Sequence, residues 1–202
     1  LNNTVKNVII TGGSRGLGLS HVHYLAEKGY NIAIIDISRQ ACNVYDELKG
    51  VDALLALLSS KGIKAEFYEC DLTDLDKVKK TFAMIVEDFS GIEGVIANVG
   101  GDVTGRDQKA EGGKATANSI DISIENHDEI FDRNYITCLN TIKAIIPYFK
   151  SKQFGKIITT TSISAGYGVE KETAYAVSKS AVLHLTRCVA TELRDYNVNV
   201  NC

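Results

Sequence analysis

Six short, β-branched apolar runs are spread along the chain with helix-length segments between them, and this alternation restricts the fold more than any other feature of the sequence. The runs cover residues 5–11, 31–35 (ending in Asp36), 64–69, 94–97, 156–160 and 197–201. The first of them, VKNVIIT, stops at glycines, as a buried strand does. Between the runs, apolar residues recur every three or four positions and predict helices over 17–28, 44–60, 74–89, 124–150 and 173–195. Gly29 and Gly62 suit the ends of the first two helices, Thr73 or Asp74 suits the start of the third, and Pro147 falls near the end of the fourth. Parallel strands need crossovers of about this length, so the expected architecture is one α/β domain over 1–202: a doubly wound parallel sheet in three layers, covered by helices on both faces.

One segment breaks the pattern. Residues 99–118 are polar and carry Gly100, Gly101, Gly105, Gly112 and Gly113 without periodicity. A loop of that length inside a compact domain usually has a function or moves, and the readings open for it are a lid, an interface arm or a solvated insertion without a role.

Composition excludes several classes of function. A net charge of −3 with scattered basic residues gives no electrostatic basis for binding nucleic acid. No apolar run approaches the ~18 residues of a membrane span, and the first residues lack a basic segment followed by an apolar core, so a cytoplasmic protein with no membrane partner is expected. Five cysteines without a C-x-x-C pair argue for reduced thiols. His21 and His23 point to different sides of a helix, and His127 and His184 are isolated, so no metal site is expected.

Ligands of an open parallel sheet bind at the carboxyl ends of its strands, and the chemically suggestive residues all fall there. Gly12, Gly16 and Gly18 follow the first strand: one permits a tight turn, the next lets a phosphate approach the backbone, and the last lets the helix pack on the sheet. Their spacing, G-x-x-x-G-x-G, is neither G-x-G-x-x-G nor a P-loop. Asp36 ends the second strand 18 residues beyond Gly18, where a carboxylate can accept bonds from a ribose. Tyr175 and Lys179 lie four apart on one helical face. An ammonium beside a phenol favours the phenolate and makes a proton donor and acceptor of it, although the same pair is common on solvated helices.

Together these residues resemble the short-chain dehydrogenase/reductase family over essentially the whole chain. Thr11-Gly12-Gly13-Ser14-Arg15-Gly16-Leu17-Gly18 is similar to that family's T-G-x-x-x-G-x-G loop, and Asp71-Leu72 resembles its adenine-contacting step after the third strand. Ala97-Asn98-Val99-Gly100 matches its N-N-A-G segment at Asn98 and Gly100. Asn134, Ser162, Tyr175 and Lys179 fall in the order of its catalytic tetrad, with the usual interval of 13 residues from Ser162 to Tyr175.

The resemblance implies a Rossmann-type fold and hydride transfer between a nicotinamide dinucleotide and a small alcohol or ketone. It implies that Tyr175 is the acid or base and that Lys179 lowers its pKa and bonds the nicotinamide ribose. Ser162, with Ser164 as its rival, would polarise the substrate oxygen, and Asn134 would interrupt its helix and hold a water. Asp36 favours NAD, whereas Arg15 stands where NADP-using relatives carry a basic residue, so NADP is the alternative. The helices over 124–150 and 173–195 resemble a pair that builds homotetramers or homodimers. The connection over 37–49 is longer than usual and weakly resembles a subgroup that holds NAD tightly. The family's lid and final strand would follow the sixth strand and are not visible in these residues. Two other readings are open at this point: a dinucleotide sensor without turnover, and a nucleotide-sugar epimerase or dehydratase.

Overall fold

The computed structural model describes residues 6–44, 47–101 and 120–202. Six strands, β1 (Asn7–Thr11), β2 (Asn31–Asp36), β3 (Ala65–Glu69), β4 (Gly94–Ala97), β5 (Gly155–Thr159) and β6 (Val198–Asn201), form one sheet in the order β3-β2-β1-β4-β5-β6. Every pairing is parallel. The helices are α1 (Gly16–Glu27), α2 (Val51–Ser60), α3 (Leu75–Asp88), α4 (Ile124–Phe131), α5 (Thr137–Lys152) and α6 (Thr173–Glu192). The fold is the three-layer Rossmann type expected from the alternation of runs.

The period of two along each strand sorts the apolar side chains between two cores. Val8, Ile10, Ile32, Ile34 and Ile96 pack with Leu19 and Val22 of α1 and Leu54 and Leu58 of α2. Their alternates, Ile9, Ala33, Ile35, Val95, Ala97 and Ile157, pack with Val78 and Phe82 of α3, Ile142 and Phe149 of α5 and Val182 of α6. Each fully buried isoleucine or leucine contributes about 1.5–3 kcal/mol over leaving it exposed, so burial on both faces sets strand register strongly.

β1 lies between β2 and β4, and the chain reverses its direction of growth across the sheet at that point. The crevice that this leaves above the carboxyl ends of β1 and β4 is where the candidate residues meet.

Two helices differ from expectation. The segment over 44–60 is not one helix: residues Arg39–Val44 form a 3-10 turn and α2 starts only at Val51. Gly50 takes φ +119° immediately before it, a conformation that a helix cannot continue through. The spacing of Val44, Leu48, Val51, Leu55 and Leu58 mimics a longer helix, and Leu48 does pack against the core, but from outside the helix.

The helix over 124–150 is α4 and α5 joined by a π turn at Asp132–Ile136, with Pro147 inside α5 and a left-handed Gln153 ending it. Val5 and residues 102–119, which include most of the expected loop, lie outside the described residues. Among the described residues no helix is long and apolar enough to cross a membrane.

Candidate active site

The turn after β1 is fixed by backbone demands. Gly12 takes φ +65° and donates its N–H to the Ile35 carbonyl at 2.7 Å, which ties the turn to β2. A Cβ on Gly18 would lie 1.9 Å from the Gly12 carbonyl oxygen, so this glycine is required by close packing of α1 on the turn. Gly16, with φ +52°, has no atom within 4 Å of where a Cβ would sit, so it faces open space. Its N–H, at the positive end of α1, donates to Glu47 Oε2 at 2.7 Å. Sequence reasoning missed Glu47, since nothing in its spacing connects it to the glycines.

Asp36 is 6% exposed and already engaged. Its Oδ2 accepts the Ser14 N–H at 3.2 Å and the Ser14 hydroxyl at 2.5 Å, and its Oδ1 accepts the Ile37 N–H at 2.9 Å. Ser14 is fully buried and holds the carboxylate in place, so it acts on the site through Asp36. Asp36 and Arg15 line both parts of the crevice.

The larger part, about 690 Å³, runs from Arg15 and Asp36 past Cys70, Asp71, Leu72 and Thr73 to α4. Asp71 Oδ1 accepts from the Thr73 N–H and hydroxyl at 2.9 and 2.7 Å. The Leu72 and Thr73 carbonyls accept from Asn140 Nδ2 of α5 at 2.9 and 3.0 Å, which fixes this wall against the helix layer. The opposite wall, carrying Glu125, Asp128, Glu129, Asp132 and Arg133, was not anticipated from sequence. Charged residues at helical spacing read equally well as a solvated face.

The smaller part, about 320 Å³, is lined by Gly12, Arg15, Gly16, Leu17, Asn98, Gly100, Thr160, Thr161, Tyr175 and Lys179, among others. The glycine turn and the Tyr-Lys pair therefore share one cleft. Asn98 spans it: Nδ2 makes a long 3.5 Å contact to the Gly12 carbonyl, and Oδ1 accepts from the Thr160 hydroxyl at 3.2 Å. The next link is Thr160 itself, whose carbonyl accepts from Lys179 Nζ at 2.8 Å.

Lys179 is 2% exposed. Burial pushes its ammonium down to about 8, with nearby Cys138 opposing the shift. Cys138, buried beside it, has its thiol pushed up to about 12 by desolvation, and the Lys179 charge opposes that. The Lys179 nitrogen lies 5.9 Å from the centre of the Tyr175 ring, and Tyr175 packs against the buried cluster of Ile130 and Ala174.

Asn134 sits fully buried in the π turn. Its Nδ2 donates to the Gly101 and Ile130 carbonyls at 2.8 and 2.9 Å, and its Oδ1 accepts the Gly101 N–H at 2.9 Å. The side chain thus clamps the chain leaving β4. Gly100 is pressed between the two polar groups: a Cβ there would lie 2.6 Å from Lys179 Nζ and 2.7 Å from Asn134 Oδ1.

Ser162 caps the short turn Ile163–Gly166 and accepts the Ser164 N–H at 3.2 Å. The two hydroxyls lie 2.8 Å apart. Ser164 is 4% exposed, whereas Ser162 is half-buried, which favours Ser162 as the hydroxyl able to meet a ligand. The Ala165 carbonyl accepts from Ser180 of α6 at 3.0 Å, tying this turn to the helix that carries Tyr175 and Lys179.

Comparison with known proteins agrees with the fold. Residues 6–202 match the model of the short chain dehydrogenase family. A 3-oxoacyl-[acyl-carrier-protein] reductase, FabG, of Staphylococcus epidermidis is 25% identical over 198 residues, covering 97% of this chain and 72% of the relative. The structure of an NAD+-bound xylitol dehydrogenase superposes with a TM-score of 0.82 at 27% identity, over 97% of this chain and 68% of the other. ElxO, in a structure with NADP bound, shares the fold at a TM-score of 0.81 and 23% identity, over 98% of this chain and 72% of the other.

Proposed function

The chain belongs to the short-chain dehydrogenase/reductase family, and from that premise we propose that it oxidises a secondary alcohol, or reduces the corresponding ketone, with NAD(H). The observation that carries this reading is the sharing of one cleft by Tyr175, Lys179, Gly12, Gly16 and Asn98, which sets an acid/base pair beside a phosphate-binding turn.

The residues present fit a dinucleotide. The Gly16 amide at the start of α1 offers a donor and the helix's positive end to a diphosphate, in exchange for the Glu47 carboxylate to which it donates. Asp36, fixed by Ser14 and Ile37, offers its remaining lone pairs to ribose hydroxyls at the end of β2. Asp71 and Leu72 wall the part of the crevice that would take the base, and Asn98 and Gly100 line the part beside Lys179. When bound, the dinucleotide supplies or takes up hydride.

Tyr175 Oη gives its proton to the substrate oxygen in reduction and removes it in oxidation. The ammonium of Lys179 stabilises the negative charge on that oxygen when the proton is gone. Ser162 donates its hydroxyl to the same substrate oxygen: it accepts the Ser164 N–H, and with Ser164 as the donor between the two hydroxyls its own proton is available. Asn134 fixes Gly101, and Gly100, which has no Cβ, lets the chain pass close to Lys179 while the ammonium reaches the Thr160 carbonyl.

NAD is favoured over NADP because Asp36 is buried with its charge aimed into the crevice, where a 2′-phosphate would bring like charge against it. A homotetramer or homodimer is inferred from the resemblance and from half-exposed apolar residues such as Val177 on α6; a monomer in light scattering would remove it. The activity is tested with a panel of secondary alcohols with NAD+ and of ketones with NADH, followed at the NADH absorbance. Turnover of a member of the panel is expected, and none with either NAD(H) or NADP(H) would overturn the reading.

A further inference from the structure

The amide that a diphosphate needs is not vacant. Gly16 N–H donates to Glu47 Oε2 at 2.7 Å, so a carboxylate already stands where the anion of the cofactor would be received. Neither the motif nor the resemblance gives Glu47 a role. Gly16 also lines the 320 Å³ cleft, and its amide has a single hydrogen to give to either anion. The contact is therefore a choice between an internal anion and an external one.

The backbone that follows Glu47 is anchored independently of that contact. Leu48 packs against the core beneath α1 and α2. Gly50, at φ +119°, sets the start of α2, and an Arg39–Asp52 ion pair ties the preceding 3-10 turn to the same helix. Glu47 itself is exposed. Rotation about its side-chain bonds is enough to free Gly16, with the backbone staying where it is.

We propose that Glu47 is an affinity-determining residue of the cofactor site: its carboxylate competes with the cofactor diphosphate for the N-terminus of α1 and swings away when a dinucleotide seats. The proposal rests on the dinucleotide reading above. It goes beyond that reading by placing a selective cost on ligands that carry phosphate at this turn. A nucleoside held only between Asp36 and Asp71 does not meet Glu47 and does not bear that cost.

Calorimetric titration of the wild type, Glu47→Gln and Glu47→Ala with NAD+, NADH and adenosine tests it. Glu27→Gln, which removes the same charge at the other end of α1, serves as the control. Both Glu47 variants are expected to bind NAD+ and NADH about two- to fivefold more tightly, the scale of one exposed charged contact. Adenosine affinity, and all affinities of Glu27→Gln, are expected to stay at the wild-type value. Unchanged or weaker dinucleotide binding in both Glu47 variants overturns the proposal. So does an equal gain in Glu27→Gln or for adenosine, because the effect would then be general electrostatics. Failure of every protein, wild type included, to bind NAD(H) or NADP(H) would overturn the dinucleotide reading itself and this inference with it.

Discussion

The Lys179 ammonium donates to the Thr160 carbonyl at 2.8 Å, holding a buried charge at the carboxyl end of β5. Burial lowers its pKa from 10.5 to about 8. Between those two values the unfolded chain binds a proton that the folded chain lacks, so this group makes stability rise with pH across that window. Lys179→Met removes the group from both states. The wild-type melting temperature minus that of Lys179→Met, measured without cofactor, is therefore expected to grow as pH is raised from about 8 to about 10. Titrating groups that Lys179 does not touch cancel in the difference, and its neighbour Cys138, held well above this range by burial, stays protonated in the folded chain. A difference that shrinks over this range would show that the folded-state pKa is not depressed.

Tyr175→Phe keeps the ring of a residue that packs against the cluster of Ile130 and Ala174 and removes only the hydroxyl. Turnover of a substrate found in the panel is expected to fall by about 10²- to 10⁴-fold, the range for loss of a positioned acid/base. Dinucleotide affinity is expected to stay the same. Near-normal turnover would sink the assignment of the proton to Tyr175.

Three alanine substitutions at glycines separate three different constraints. Gly18→Ala puts a methyl group 1.9 Å from a backbone oxygen that no rotamer can move, and a loss of about 1–3 kcal/mol in denaturant unfolding is expected from overpacking. Gly16→Ala meets nothing, and only its φ of +52° is strained, at about 1–2 kcal/mol. Gly100→Ala instead meets Lys179 Nζ, the end of a flexible side chain, and Asn134 Oδ1. The fold is expected to persist there while turnover falls at least about tenfold, as for misplacement of a catalytic group. Wild-type turnover in Gly100→Ala would mean that Lys179 need not sit where it does.

The six strands and the covering of the sheet on both faces were legible in the sequence because double-sided burial leaves a strong mark: continuous runs such as Val8-Ile9-Ile10 and Ile32-Ala33-Ile34-Ile35. The clustering of Gly12, Asn98, Tyr175 and Lys179 was legible because each follows a strand end or a helix face at a recognisable spacing. Glu47 was not, since its contact to Gly16 crosses 31 residues and depends on a break at Gly50 that the apolar spacing conceals. The Thr160 contact to Lys179 was not either, because it uses a backbone carbonyl, which every residue possesses. Ser14 was identified as a cofactor residue, but its two hydrogen bonds go to Asp36, an internal arrangement that a motif does not distinguish from a ligand contact.

That arrangement makes cofactor preference separable from cofactor affinity. Asp36 anchors the Ser14 turn and, on the reading proposed above, would also repel a 2′-phosphate, so Asp36→Ala is expected to weaken NADH and NADPH together and to weaken NADH more. The wild type is expected to prefer NADH by about tenfold or more, equivalent to about 1.4 kcal/mol. Asp36→Ala narrows that ratio. Ser14→Ala removes the anchor and leaves the charge, so both affinities fall while the ratio holds. The two variants thus divide the effect between electrostatics and scaffold, with titration against both reduced dinucleotides as the measurement. A tenfold preference for NADPH that Asp36→Ala leaves unchanged would show that Arg15, on the same wall, decides the cofactor instead.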